Sequence, residues 1–164
     1  MANNILSVDN DSDKIYKHSG FTNTILDSFS SPSTSANGVS YDENYIYSAD
    51  NSADKLYKHA GFSTTIITSF SSPSTEPFDV TVDATNTYSI DSNTDKVYKH
   101  NGFSATILDS FSSPSTAPFG LSYDGTNILS CDNDASKYYK HNGFSSRITD
   151  SFSSPGSAPR GVSW

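Results

Sequence analysis

Tyrosine, lysine and histidine stand side by side four times in this chain. The copies are Tyr16-Lys17-His18, Tyr57-Lys58-His59, Tyr98-Lys99-His100 and Tyr139-Lys140-His141. Such side chains pass protons to and from substrates when a fold brings them together. Their spacing argues against that use here. Each copy follows the last by 41 residues, so a repeating fold sets them apart round an axis, too far apart to converge on one substrate or metal. The histidines are expected as surface or turn residues and the tyrosines as packing between repeats. The lysines should lay their stems on the surface and keep their charges in water.

Two other groups invite a chemical reading. Asp9, Asp11 and Asp13 place carboxylates at alternate positions, as calcium loops do. The copies from Asp50, Asp91 and Asp132 read DNSAD, DSNTD and DNDAS, without the glycine or the later glutamate of an EF-hand. Aspartate and asparagine also make tight turns by bonding their own backbone. A turn is the first reading, with a weak calcium site as the alternative. Cys131 shares a column with Val8, Ala49 and Ile90, which marks a small core residue. No Gly-x-Ser-x-Gly elbow, metal-binding histidine pair or phosphate loop occurs. The sequence therefore assigns no catalytic residue and no cofactor.

The elements that must position these groups repeat with them. The whole of 1–164 is one domain of four 41-residue units, with no room for a second. Internal repetition of this period decides the fold class. In the first unit the invariant columns include Ser7, Asp9, Tyr16, Lys17, His18, Gly20, Phe21, Phe29 and Pro32. Each unit holds four short alternating runs split by turn residues. In the fourth these are GLSYD, NILSCD, KYYKH and SSRITDSF. Period-two alternation bounded by Gly, Asn, Asp and Ser predicts antiparallel strands, and Asn101-Gly102 and Asn142-Gly143 predict hairpin turns. Apolar content is only 34%, but aromatic content is 13%, so a core of Tyr and Phe rings is available.

Four antiparallel strands in about 40 residues, repeated, give an all-β fold of β-propeller blades. A β-solenoid is the alternative, with shorter coils and fewer hairpin turns. Gly161–Trp164 aligns with the first strand of a blade and Met1–Asp9 with the second. One blade is therefore expected to be shared by both ends of the chain, which would cover a strand edge. The stretch PFGLSYDGTNILSCDNDASKYYKH resembles blades of the NHL and YVTN propellers, where a P-x-G strand, an aspartate turn and a second strand ending in Asp recur. The resemblance covers all four units, but the YKHxGF and SFSSP phrases depart from it. It implies the fold, with binding or scaffolding rather than one activity.

One column varies where the rest repeat. It reads Asn37, Phe78, Phe119 and Arg160, and the next reads Gly38, Asp79, Gly120 and Gly161. In such propellers this loop lies near the mouth of the central channel. Asn37, Phe78, Asp79, Phe119 and Arg160 are the candidate ligand-binding residues, suited to a sugar or a peptide.

The net charge is −8, which argues against nucleic acid and against an anionic membrane surface as partners. No apolar run reaches the ~20 residues of a membrane span and no signal peptide is visible. The compartment stays open. Four such blades would have to turn the chain sharply to close alone, and an open arc leaves two apolar faces that drive association. A homodimer forming an eight-bladed ring is favoured, with a closed monomer as the alternative. The whole-number repeat, cut mid-blade, reads as a piece excised or engineered from a natural repeat protein. A non-enzymatic scaffold that self-assembles is the first functional expectation. A lectin-like carbohydrate-binding propeller comes second and a propeller lyase or hydrolase third.

Overall fold

The computed structural model describes residues 4–164 and contains only strands and turns over that span. No helix in it is long and apolar enough to cross a membrane. Fifteen strands form four antiparallel sheets. The first holds β1 (Ile5–Asp9), β2 (Lys14–His18) and β3 (Ile25–Ser30). The second holds β4 (Ala36–Tyr41), β5 (Tyr45–Asp50), β6 (Lys55–Ala60) and β7 (Ile66–Ser71). The third holds β8 (Pro77–Val82), β9 (Asn86–Asp91), β10 (Lys96–Asn101) and β11 (Ile107–Ser112). The fourth holds β12 (Pro118–Tyr123), β13 (Ile128–Asp132), β14 (Lys137–His141) and β15 (Ile148–Ser153). Strands pair in chain order within every sheet, and β4, β8 and β12 pack side by side as the inner strands of successive blades. The expected β-propeller architecture is present.

The repeated polar residues make the turns. The Oδ1 atoms of Asp50, Asp91 and Asp132 accept the N–H groups of Ala53, Thr94 and Ala135 at 2.9–3.0 Å. The turn then passes through a left-handed residue at Asp13, Asp54, Asp95 and Ser136, with φ between 51° and 54°. Aspartate tolerates that region better than most residues. The next hairpin needs a positive φ at Gly20, Gly61, Gly102 and Gly143, where glycine alone adopts it without cost. Both expected Asn-Gly turns therefore form.

The core lies between blades rather than within any one of them. Ile15, Phe29 and Ile46 bury together between the first and second blades. Tyr47, Ala49, Leu56 and Val80 do so between the second and third, and Tyr88, Ile90, Val97, Phe111, Leu121 and Ile128 between the third and fourth. Alternation explains this: one set of side chains on each sheet faces the preceding blade and the other set the following blade.

The two ends differ from the interior. Among the described residues the first blade has three strands, and β1 has no strand on its inner side. Gly161–Trp164, the segment with inner-strand sequence, lies beside β12, where the Trp164 N–H donates to Ser122 Oγ at 3.2 Å. It is not paired to β1, so the sharing of a blade by the two ends is left open in the single chain. Neighbouring blades touch even at their outer strands, through Phe–Phe pairs at 4.8–4.9 Å.

Candidate functional site

The histidines of the repeated phrase are structural, which corrects their expected surface placement. His59, His100 and His141 have no exposed surface. In each, Nε2 pairs with the hydroxyl of Ser48, Ser89 or Ser130 at 2.9–3.0 Å. Ser7 and His18 make the same contact at 2.8 Å in the first blade. Each buried ring packs on a phenylalanine of the preceding blade, with centroids 4.9–5.2 Å apart from Phe29, Phe70 and Phe111. Burial lowers the pKa of all three imidazoles, that of His100 to about 4. Neutral imidazoles held this way join strands and blades. Sequence reasoning missed the pairing, although Ser7 and His18 both belong to invariant columns. Tyr57 and Tyr98 are buried, as expected, and Tyr98 donates to Thr94 Oγ1 at 2.9 Å. Lys58 reaches over the Tyr45 ring at 3.8 Å.

Asp9 serves its turn, where Oδ1 accepts the N–H and the hydroxyl of Ser12 at 2.8 and 2.9 Å. Asp11 is exposed and Asp13 takes the left-handed position. Among the described residues, no group of three or more His, Cys, Asp or Glu side chains is placed to hold a metal. Cys131 is buried beside Gly120, as expected of a core residue, and burial pushes its thiol up to about 12.

The variable column forms a row along the inner strands. The Phe78 and Phe119 rings lie 4.1 Å apart, and the Arg160 guanidinium sits 5.1 Å over Phe119. Asn37 stands one blade earlier, where its Oδ1 accepts from Asn10 Nδ2 at 3.0 Å and its own amide donates to the Ser35 carbonyl. Asp79 is held by backbone groups of two inner strands. Its carboxylate accepts the Val80 N–H at 2.8 Å and the Leu121 N–H at 2.9 Å, strapping β8 to β12. It fits because its neighbour is glycine: a Cβ on Gly38 would lie 2.4 Å from Asp79 Oδ1. Strands enclose the carboxyl and desolvation raises it to about 7, while a partial opening to solvent tempers that shift.

The open ends form the second candidate surface. Phe29 and Phe111 are 8% and 9% exposed, whereas Phe152 in the same column is 65% exposed. Phe62, Phe103 and Phe144 each meet a phenylalanine of the preceding blade edge-on. Phe21, their counterpart in the first blade, is 97% exposed beside a cavity of about 330 Å³ lined by Ile5, Ser7, His18 and Thr22. One end thus presents the ring and the other the slot that internal junctions join.

No family model matches the sequence, and no curated protein matches it either. Solved structures do. The WD40 β-propeller domain of Doa1 superposes with a TM-score of 0.70 at 12% identity, over 99% of this chain and 54% of that one. The computationally designed Ika8 protein gives 0.65 at 11%, over 98% and 49%. A glutaminyl cyclase from Myxococcus xanthus gives 0.72 at 10%, over 92% and 72%. The chain spans about half the length of the Ika8 and Doa1 propellers. At such identities the likeness shows the propeller fold alone.

Proposed function

We propose that this chain is a non-enzymatic scaffold, one domain of four NHL- or YVTN-like blades, that assembles through its end blades. The observation that supports this is the contrast between Phe29 and Phe152. The same residue in the same column is covered where a blade follows and bare where none does. Three internal junctions repeat one wedge of Phe on Phe and Phe on His. The ends carry the two halves of a fourth wedge. Exposed apolar surface of this kind drives association. Light scattering coupled to size exclusion tests it. Assembly of two chains gives about twice the 17.7 kDa chain mass, and a monomer at all concentrations overturns the reading.

A second reading rests on the inner row. The mutually tilted Phe78 and Phe119 rings, with Arg160 over Phe119, offer an apolar surface with a cation beside it, a pairing that suits a sugar or a peptide. The lectin-like reading predicts glycan-array binding that Phe119→Ala abolishes. Silence of the native chain on such an array removes it.

A further inference from the structure

We infer that the partner is a second copy of this chain bound head to tail, and that Gly161–Trp164 of one copy becomes the innermost strand of the next copy's first blade. The inference rests on the assembly reading above and adds its register. The three complete blades supply the template. Their inner strands pair with the next strand as Gly38↔Ala49, Val39↔Ser48 and Tyr41↔Ile46, and the third and fourth blades repeat this register. Moving 41 residues at a time along the repeat sets Gly161 opposite Val8, Val162 opposite Ser7, and Trp164 opposite Ile5.

Both halves of this blade already stand in place. β1 pairs with β2 along its whole length, from Ile5↔His18 to Asp9↔Lys14, and among the described residues no strand pairs with its other edge. Gly161–Trp164 lies against β12 where the next blade's inner strand belongs. The Trp164 N–H bonds Ser122 Oγ across a 42-residue separation, the same offset as the Asp79 strap to Leu121. The tail therefore holds its inter-blade neighbour and lacks only its own sheet. An open edge and an unpaired strand of matching sequence satisfy each other's backbone groups. The same motion seats Phe152 in the slot beside His18 and Phe21, as Phe29, Phe70 and Phe111 are seated.

The contact is heterologous: the surface at one end meets a different surface at the other. Such contacts close into rings or run on as filaments, depending on the rotation between copies. Two copies close a ring of eight blades when each blade contributes an equal turn. The seam then falls inside a blade, and faces and strand must part together to open it.

Two single-thiol proteins test the register. Both carry Cys131→Ser; one adds Ser7→Cys and the other Val162→Cys. Mixed and oxidised, they should join into a covalent pair containing one of each. Moving one thiol a single residue, to Ser163→Cys, turns it to the opposite face, and should lower the yield roughly tenfold. A Ser7→Cys/Val162→Cys chain that oxidises only within itself shows closure of a single chain and overturns the inference. A solution dimer with no cross-link also overturns it, because copies then meet another way, while the assembly reading survives. A monomer with no cross-link removes both.

Discussion

Replacing Phe152 with serine isolates the junction from the fold. The ring is 65% exposed at the open end, against 8–9% at Phe29 and Phe111. Covering it to the internal level removes ~110 Å² of a ~200 Å² side chain from water, or about 3 kcal/mol at 25 cal/mol per Å². An edge-on aromatic pair with Phe21 of the next copy adds about 1 kcal/mol. Each junction should thus weaken by roughly two to three orders of magnitude in dissociation constant. Within its own chain Phe152 only stacks on Tyr138, at 5.0 Å, so the isolated fold should lose less than about 1 kcal/mol. Light scattering over a dilution series reads the first quantity and urea unfolding below the dissociation range reads the second. The variant should be a monomer where the native chain is still a dimer, with a nearly unchanged urea midpoint. The reasoning fails if the mass curve does not move, or if the midpoint collapses in the monomer.

Three further outcomes follow from single side chains. The Asp79 carboxyl, raised from 3.8 to about 7, favours the protonated fold. Its contribution is full below about pH 4 and is lost as pH rises through 7. With the ~4 kcal/mol of the full shift damped by solvent access, a loss of about 1–2 kcal/mol is expected. Asp79→Gly should flatten urea stability between pH 5 and 8 relative to the native chain, and an identical slope refutes this. His100 has the opposite sign: its pKa is depressed from 6.5 to about 4, so its contribution is present above 6.5 and is lost as pH falls. Between pH 6.5 and 5 this costs about 2 kcal/mol. His100→Gln should remove that share of acid sensitivity, and the same acid midpoint as the native chain counts against it. Asp91 accepts the N–H groups of Thr94 and Glu76 and the Thr94 hydroxyl. Asp91→Ala should cost about 1–3 kcal/mol through these unpaired donors, seen as a lower melting temperature; an unchanged melt refutes the turn's role.

Strands and blades were legible because they depend on local pattern. Alternation in NILSCD and KYYKH, bounded by Asp and Gly, needs no knowledge of the neighbouring blade. The histidines were misread because their surroundings in sequence are polar, while their burial comes from a phenylalanine one blade away. The Ser7–His18 pair was within reach, since two invariant polar columns in facing strands suggest each other. The inner row was marked by its variability, and the structure does align Phe78, Phe119 and Arg160. The role of Asp79 was not legible. It depends on the missing Cβ of Gly38 in the preceding blade and on a backbone N–H of the following one, and no single unit contains both.

The Gly38–Asp79 contact also limits how an array of these units can grow. A side chain at that column needs glycine before it, because a Cβ on the preceding inner strand would meet the Asp79 backbone at 2.5 Å. Copying the Asp79 unit directly behind itself would set a side chain against a backbone with no room for it, and one carboxylate beside another. Copying it together with the Gly38 unit would not. By this geometry the Asp79 unit fits where a glycine-bearing unit precedes it, and does not fit directly behind another Asp79 unit. An engineered five-unit chain with two adjacent Asp79 units should fold worse than a six-unit chain with the pair repeated.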